Sequence, residues 1–239
     1  SDVRLSAQSA PISLRVHEGE IVGLAGLEGQ GQEHFLEMLC GLRKPYSGQV
    51  IAHPSGQPIK SLRDGVKQGI TYLPRNRKTQ GILPALSVHD NFAIGTLEQT
   101  SRFGIINRKT QRERLAQFRD RLSMLFASPD APITSLSGGN QQKVLLARWM
   151  AANPRLMILN DPTRGVDLPT RLKLYEVFKE MAAAEKTALV VLSTEIEEIL
   201  QLCDRVLVFR NQHVFKELDR SQMTMRHIVE CMFGNTDGI

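Results

Sequence analysis

The chain alternates between short continuous apolar runs and longer segments whose apolar residues recur every three to four positions. The first kind reads as strands buried on both faces, and the second as helices packed by one side. Residues 20–25, 156–159, 188–192 and 206–209 are the continuous runs, and they predict four strands. After the first of these, Phe35, Leu36, Met38 and Leu39 predict a helix over 32–40, with Gly41 as its stop. Leu172, Tyr175, Phe178 and Met181 predict a second helix over 171–184, and 141–150 reads as a third. Strand alternating with helix implies crossover connections and hence a largely parallel sheet. From 84 to 135 the pattern turns helical and polar.

Composition narrows the class. At 239 residues and 41% hydrophobic, the chain is long enough to bury a core. No apolar run approaches the ~18 residues that a membrane span needs. Three cysteines, Cys40, Cys203 and Cys231, lack metal-ligand spacing, and their odd number argues against a disulfide framework. A reducing, cytoplasmic setting is the expectation, with no secretory leader. The start at Ser1, close to the first core strand, suits a domain taken from a longer chain. The formal charge of +5 is concentrated: from Arg75 to Arg121 there are ten Lys or Arg against four Asp or Glu. Such a stretch reads as a solvated face, or as contact with an anionic membrane surface or a membrane subunit. Nucleic-acid binding would want a known binding motif, and none is present.

The chemistry is carried by Leu136-Ser137-Gly138-Gly139-Asn140-Gln141-Gln142-Lys143, which opens the third predicted helix. Free N–H groups at a helix start and the positive end of its dipole attract anions, and glycines let a phosphate come close. An ordinary helix cap would share the Ser-Gly-Gly step but not the rest of the string. A second glycine-rich turn, Gly26-Leu27-Glu28-Gly29-Gln30-Gly31, lies between a strand and a helix, the setting of a phosphate-binding loop. Such loops carry a lysine for the β/γ-phosphates and then a hydroxyl residue for Mg²⁺. Here those positions hold Gln32 and Glu33. The backbone cradle survives the exchange. A lost charge-assisted hydrogen bond is worth roughly 1.5–3 kcal/mol, or about 10- to 100-fold in affinity. Glu33 either repels the terminal phosphate or ligates Mg²⁺.

The octapeptide resembles the signature motif of ABC-type ATPases, and Pro162-Thr163-Arg164-Gly165-Val166-Asp167 resembles the D-loop of that family. The segments 74–78, 81–83, 87–91, 145–149, 153–156 and 203–208 look like one subgroup, the ATP-binding subunits of ribose-, galactose- and xylose-type importers. Those subunits carry two nucleotide-binding domains, and this chain resembles the C-terminal one. The resemblance implies an α/β P-loop NTPase fold of ABC type. A RecA-like, mixed or parallel sheet core would span 1–83 and 136–239, with a helical subdomain inserted over 84–135. It implies ATP and Mg²⁺ as cofactors, with Gly26, Gly29, Gly31, Gln32, Glu33, Arg75, Asn160 and Thr194 around the nucleotide and Glu33 and Asn160 nearest the metal. Asp161 falls where the family has its catalytic glutamate, Asn160 where it has the metal-orienting aspartate, Arg75 near its glutamine, and Thr194 at or beside its histidine. The shorter Asp161 would displace a base by roughly 1–1.5 Å, a shift able to cost on the order of 100-fold. No aromatic residue precedes Phe35 to stack on adenine.

The family pairs its domains head to tail, each ATP lying between the glycine loop of one and the signature of the other. Ser137, Gly138, Gly139, Asn140 and Gln141 would then act on a partner's ATP, and Asp167 would contact the dimer partner. The implied partners are an N-terminal nucleotide-binding domain, permease subunits and, indirectly, a sugar-binding protein, on the cytoplasmic face of the membrane. A slow homodimeric ATPase using Asp161, and an ABC protein outside transport, are the alternative readings.

Overall fold

The computed structural model describes residues 2–102 and 105–235. In chain order the strands and α-helices begin with β1 (Ile21–Gly26), α1 (Gln32–Leu39), β2 (Ile51–Ala52), β3 (Gln57–Pro58), α2 (Leu62–Lys67) and β4 (Ile70–Leu73). There follow α3 (Val88–Ala93), α4 (Leu97–Thr100), β5 (Ser101–Arg102), β6 (Ile105–Ile106), α5 (Arg108–Arg121) and α6 (Gly138–Met150). The last third holds β7 (Leu156–Asn160), α7 (Leu168–Ala183), β8 (Ala188–Leu192), α8 (Ile196–Leu202), β9 (Arg205–Arg210), β10 (His213–Asp219) and α9 (Met225–Phe233). The chain forms two compact units, one of Ser1–Tyr72, Arg155–Asp161 and Phe178–Ile239, the other of Leu73–Pro154 and Pro162–Val177.

The first unit is built on a six-stranded sheet in the order β10-β9-β1-β8-β7-β4. β1 runs parallel to both β8 and β9, and β7 parallel to β8, so the four continuous apolar runs form adjacent parallel strands. They are Val-, Ile- and Leu-rich because both faces of a parallel sheet are covered. Val22, Leu24, Leu36, Ile158, Val190 and Phe209 are fully or almost fully buried there. The Phe35 and Phe209 rings stack at a tilt, 5.5 Å between centroids, and pin α1 to the sheet. Each such buried side chain contributes about 1.5–3 kcal/mol by leaving water. Gly41 ends α1 at φ 78°, where a Cβ would collide with the Ser61 carbonyl oxygen.

Beyond β4, which joins the sheet outside the four predicted strands, two features differ from the sequence pattern. The strand β10 pairs antiparallel with β9 through a bulge between Val214 and Lys216, and so makes the sheet mixed. Its half-exposed edge position leaves only weak alternation for a pattern to catch. The helix α6 begins at Gly138, three residues before the apolar periodicity, because Ser137 caps it and its hydroxyl accepts from the Asn140 N–H.

The second unit is mainly helical and contains the polar segment 84–135. Its core includes Val88, Phe92, Leu115, Ile133 and Leu145. Arg148 is buried among them and is held by oxygens alone. Its Nε donates to the Asn91 carbonyl at 2.6 Å, Nη1 to that of Gly81 at 2.8 Å, and Nη2 to Asn91 Oδ1 at 3.0 Å. Burial pulls this guanidinium down to about 10, which leaves it charged at neutral pH. Much of the basic charge of α5 is also engaged locally. Arg112 pairs with Asp130 at 2.7 Å, and Arg114 reaches the Ala151 carbonyl.

Candidate functional site

Sheet register gathers one half of the site. Leu192 of β8 lies opposite both Leu24 of β1 and Asn160 of β7, so β7 and β8 end at one level and β1 runs two residues further. The loops that follow them, 26–31, 161 onward and 193–195, leave from the same edge, outside the carboxyl ends of parallel strands where ligands of open α/β sheets bind.

The glycine loop owes its shape to left-handed glycines at Gly29 (φ 79°) and Gly31 (φ 107°). A Cβ on Gly31 would lie 2.7 Å from Leu5 Cδ1 and 3.1 Å from Gln212 Cα, whereas one on Gly29 would meet nothing within 4 Å. The β9–β10 turn straps the loop. The Asn211 N–H donates to Gln30 Oε1 at 2.6 Å, the Gln212 N–H to the Gln30 carbonyl at 3.0 Å, and Gln212 Nε2 to the Gly29 carbonyl at 2.7 Å.

Gln32 is buried and turned inward. Its Nε2 donates to the Leu27 carbonyl at 2.8 Å and to that of Gly26 at 3.2 Å, while its Oε1 is buried without a hydrogen bond. Next to it, Glu33 is exposed, and its Oε1 lies 3.4 Å from Asn160 Nδ2. The same amide stands 3.4 Å from the Tyr72 hydroxyl, long for a hydrogen bond on both sides. Asn160 is 1% exposed, and its Oδ1 is buried without a partner. Burial pushes the Tyr72 phenol up to about 12, against the pull of its contact with Asn160. Asp161, at φ 48°, points the other way. Its Oδ1 accepts from the Thr194 N–H at 2.8 Å and hydroxyl at 3.1 Å, and its own N–H donates to the Leu192 carbonyl at 2.8 Å. The structure thus links Gly26 to Gln32, Glu33 to Asn160, and Asp161 to Thr194.

The other expected site residues, Arg75, Ser137, Gly138, Gly139, Asn140, Gln141 and Asp167, belong to the second unit. Ser137 Oγ accepts from both the N–H and the Nδ2 of Asn140, at 3.4 and 3.1 Å. Asn140 Oδ1 in turn accepts from the Leu125 N–H at 2.8 Å. Gln141 is turned inward, its Nε2 reaching the Leu136 and Ile133 carbonyls. The first turn of α6 carries no acidic residue, so no carboxylate within that turn offsets its dipole. Gln142 ties α6 to the D-loop by donating from Nε2 to the Pro162 carbonyl at 2.7 Å. Asp167 is exposed and caps α7, with Oδ1 accepting from the Thr170 N–H at 2.8 Å. Hydrogen bonding from Thr170, aided by the Lys143 charge, holds its carboxyl below the usual range.

The sequence pattern did not single out Tyr72, Arg77, Gln142 or Gln212 individually. Each acts through contacts with residues remote in the chain, for which no local periodicity exists. Among the described residues there is no cluster of three or more His, Cys, Asp or Glu able to hold a metal. Nor is any described helix long and apolar enough to cross a membrane.

The sequence profile of the family described as ABC transporter matches residues 10–164. A ribose import ATP-binding protein of Mesorhizobium japonicum is 38% identical over 222 residues, covering 91% of this chain and 42% of that protein. One from Corynebacterium glutamicum is 36% identical over 228 residues, covering 95% of this chain and 43% of that protein. The chain therefore spans less than half the length of these curated relatives. A solved dimeric ATP-binding cassette, in a post-hydrolysis state bound to ADP and Pi, has a TM-score of 0.77 over 88% of this chain and 90% of its own, at 23% identity. Likeness at that identity speaks for the fold.

Proposed function

The chain belongs to the ABC transporter family, and from that premise we propose that it is a nucleotide-binding domain of a monosaccharide importer whose main contribution is its signature. The ribose import proteins it resembles support the substrate class. Their greater length supports a second nucleotide-binding domain as partner, in the same polypeptide. Permease subunits and a sugar-binding protein complete the assembly, and the domain sits peripherally on the cytoplasmic face of the membrane.

The observation that carries the reading is the contrast between the two halves. The signature turn keeps its serine cap, its two glycines and a first helical turn without an acid. In the glycine-loop half, the residue in the lysine position is a neutral amide bonded to the loop's own carbonyls. Asn160 is neutral where a metal wants an anion, and Asp161 spends one carboxylate oxygen on Thr194. Glu33 offers Mg²⁺ a carboxylate, but the amide beside it turns N–H groups toward that carboxylate. This donor set does not fit a hydrolytic Mg²⁺–ATP site. On this reading Ser137, Gly138 and Gly139 act on ATP bound to the partner domain, by positioning and by electrostatics.

Gly138→Asp tests the reading. A Cβ there collides with Arg77 Nη2, and the new carboxylate would lie where the phosphate is received. ATPase of the assembly should be abolished, whereas Gln32→Ala should leave it within about 2-fold, since only a loop contact worth about 1 kcal/mol is lost. Abolition by Gln32→Ala would overturn the division of labour. Calorimetry of this domain alone with Mg²⁺–ATP should show no binding tighter than about millimolar, roughly −4 kcal/mol.

A further inference from the structure

We propose that Arg77 is a positioning residue of the signature: it locks the Ser137–Gly139 turn to the D-loop and brings a positive charge to the phosphate received there. The proposal rests on the reading of the signature as donor to a partner's nucleotide.

Arg77 lies in the second unit with both elements it touches. Its Nη1 donates to the Arg164 carbonyl at 2.9 Å, across 87 residues of sequence. Its Nη2 packs so closely on Gly138 that any Cβ there would collide with it, and a Cβ on Gly165 would meet Nη1 at 3.3 Å. The guanidinium occupies the space a Gly138 side chain would take, so a substitution there would push Arg77 aside. Arg77 Nε is buried without a hydrogen bond, and no ion pair of Arg77 is present among the described residues. Lys78 and Thr79 donate their N–H groups to Asn76 Oδ1, at 3.2 and 3.3 Å, which fixes the turn on which Arg77 is mounted.

The placement is electrostatically adverse as it stands. A cation sits at the N-terminal, positive end of α6, and the first turn contains no acid to offset it. An anion at the turn would satisfy the dipole and the guanidinium together, and a planar guanidinium suits phosphate oxygens. Gln142 makes a second tie between α6 and the D-loop through the Pro162 carbonyl. Removing Arg77 should therefore subtract its charge and its clamp without unfolding the unit.

The test is steady-state ATP hydrolysis by the assembly of this chain with its partner domain and permease, as wild type, Arg77→Ala, Arg77→Lys and Gly138→Asp, each with a melting curve. Arg77→Ala should lower kcat roughly 10- to 100-fold with KM little changed, the loss expected for a charged donor acting on a transferring phosphate. Arg77→Lys, which keeps the charge but not the fork, should fall between the two. Wild-type kcat in Arg77→Ala with Gly138→Asp inactive overturns the role of Arg77 and leaves the signature reading standing. Full activity of Gly138→Asp overturns the signature reading and this proposal with it. Equal losses in the Ala and Lys variants that track a lowered melting temperature make Arg77 a scaffold residue and refute the positioning role.

Discussion

Replacing Asn160 by aspartate sets a second carboxylate beside Glu33, and the structure predicts what that costs. Asn160 Nδ2 lies 3.4 Å from Glu33 Oε1, and Asn160 is 1% exposed. A carboxylate in that place faces another across the same gap. Two unit charges at that distance repel by about 5 kcal/mol at an effective dielectric constant near 20. Glu33 is exposed and able to swing into water, which reduces the net penalty to about 1–2 kcal/mol. For a chain of this size that is a fall in Tm of roughly 2–8 °C.

The sign of the pH dependence follows. Burial and Glu33 raise the folded-state pKa of the new aspartate above its unfolded value of about 3.9. The penalty is therefore absent below about pH 4 and grows as pH rises through the raised folded value. Melting curves of wild type and Asn160→Asp at pH 4.5 and pH 8 should be close at the first and separated at the second. A divalent cation held between the two carboxylates would reverse the loss. With a Kd near 1 mM, 10 mM Mg²⁺ returns about 1.4 kcal/mol. Equal stability of variant and wild type at pH 8 without metal would refute the Glu33–Asn160 proximity. A penalty untouched by Mg²⁺ would refute cation binding between the two carboxylates.

Two further predictions concern stability. Arg148→Met removes three hydrogen bonds from buried Arg148 and takes a donor from each of the Gly81 and Asn91 carbonyls. Urea unfolding should show a loss of about 3 kcal/mol, and less than about 1 kcal/mol would contradict the buried network. Glu20 is raised by burial, but hydrogen bonds from Arg205 and the His17 N–H, with the charge of Arg205, outweigh that and hold it below its ordinary value. Its contribution is present above pH ~4.5 and is lost as pH falls through the lower folded-state value. Glu20→Gln should cost about 1 kcal/mol at pH 7 and flatten the acid limb of the stability curve, and an unchanged acid slope would refute the linkage.

How much of this was legible in the chain differs from element to element. The strands β1, β7, β8 and β9 announce themselves because a parallel strand covered on both faces must be apolar throughout, a property written in consecutive residues. The helix α1 and its stop at Gly41 are equally local: the apolar spacing makes the first, and the left-handed backbone makes the second. The edge strand β10 escaped because its burial is partial and its alternation weak. The glycine loop and the signature were visible as strings, since backbone N–H groups and glycines do their work within a few residues.

The state of each side chain at those places was decided by tertiary structure. Glu33 and Asn160 meet across 127 residues because parallel register brings the carboxyl ends of β1, β8 and β7 to the same edge of the sheet. Gln32 faces the Gly26 and Leu27 carbonyls, and Gln212 straps Gly29, through geometries that no periodicity encodes. Arg77 could be read from the sequence only as one basic residue among ten, whereas folding sets it against Gly138 and the Arg164 carbonyl. Sequence by itself thus determined the elements and the motif strings, because propensity, periodicity and turn chemistry act over a few bonds. Which donors those motifs present, and which of them the protein itself occupies, was decided by the three-dimensional structure, because hydrogen-bond partners are chosen by distance in space and not along the chain.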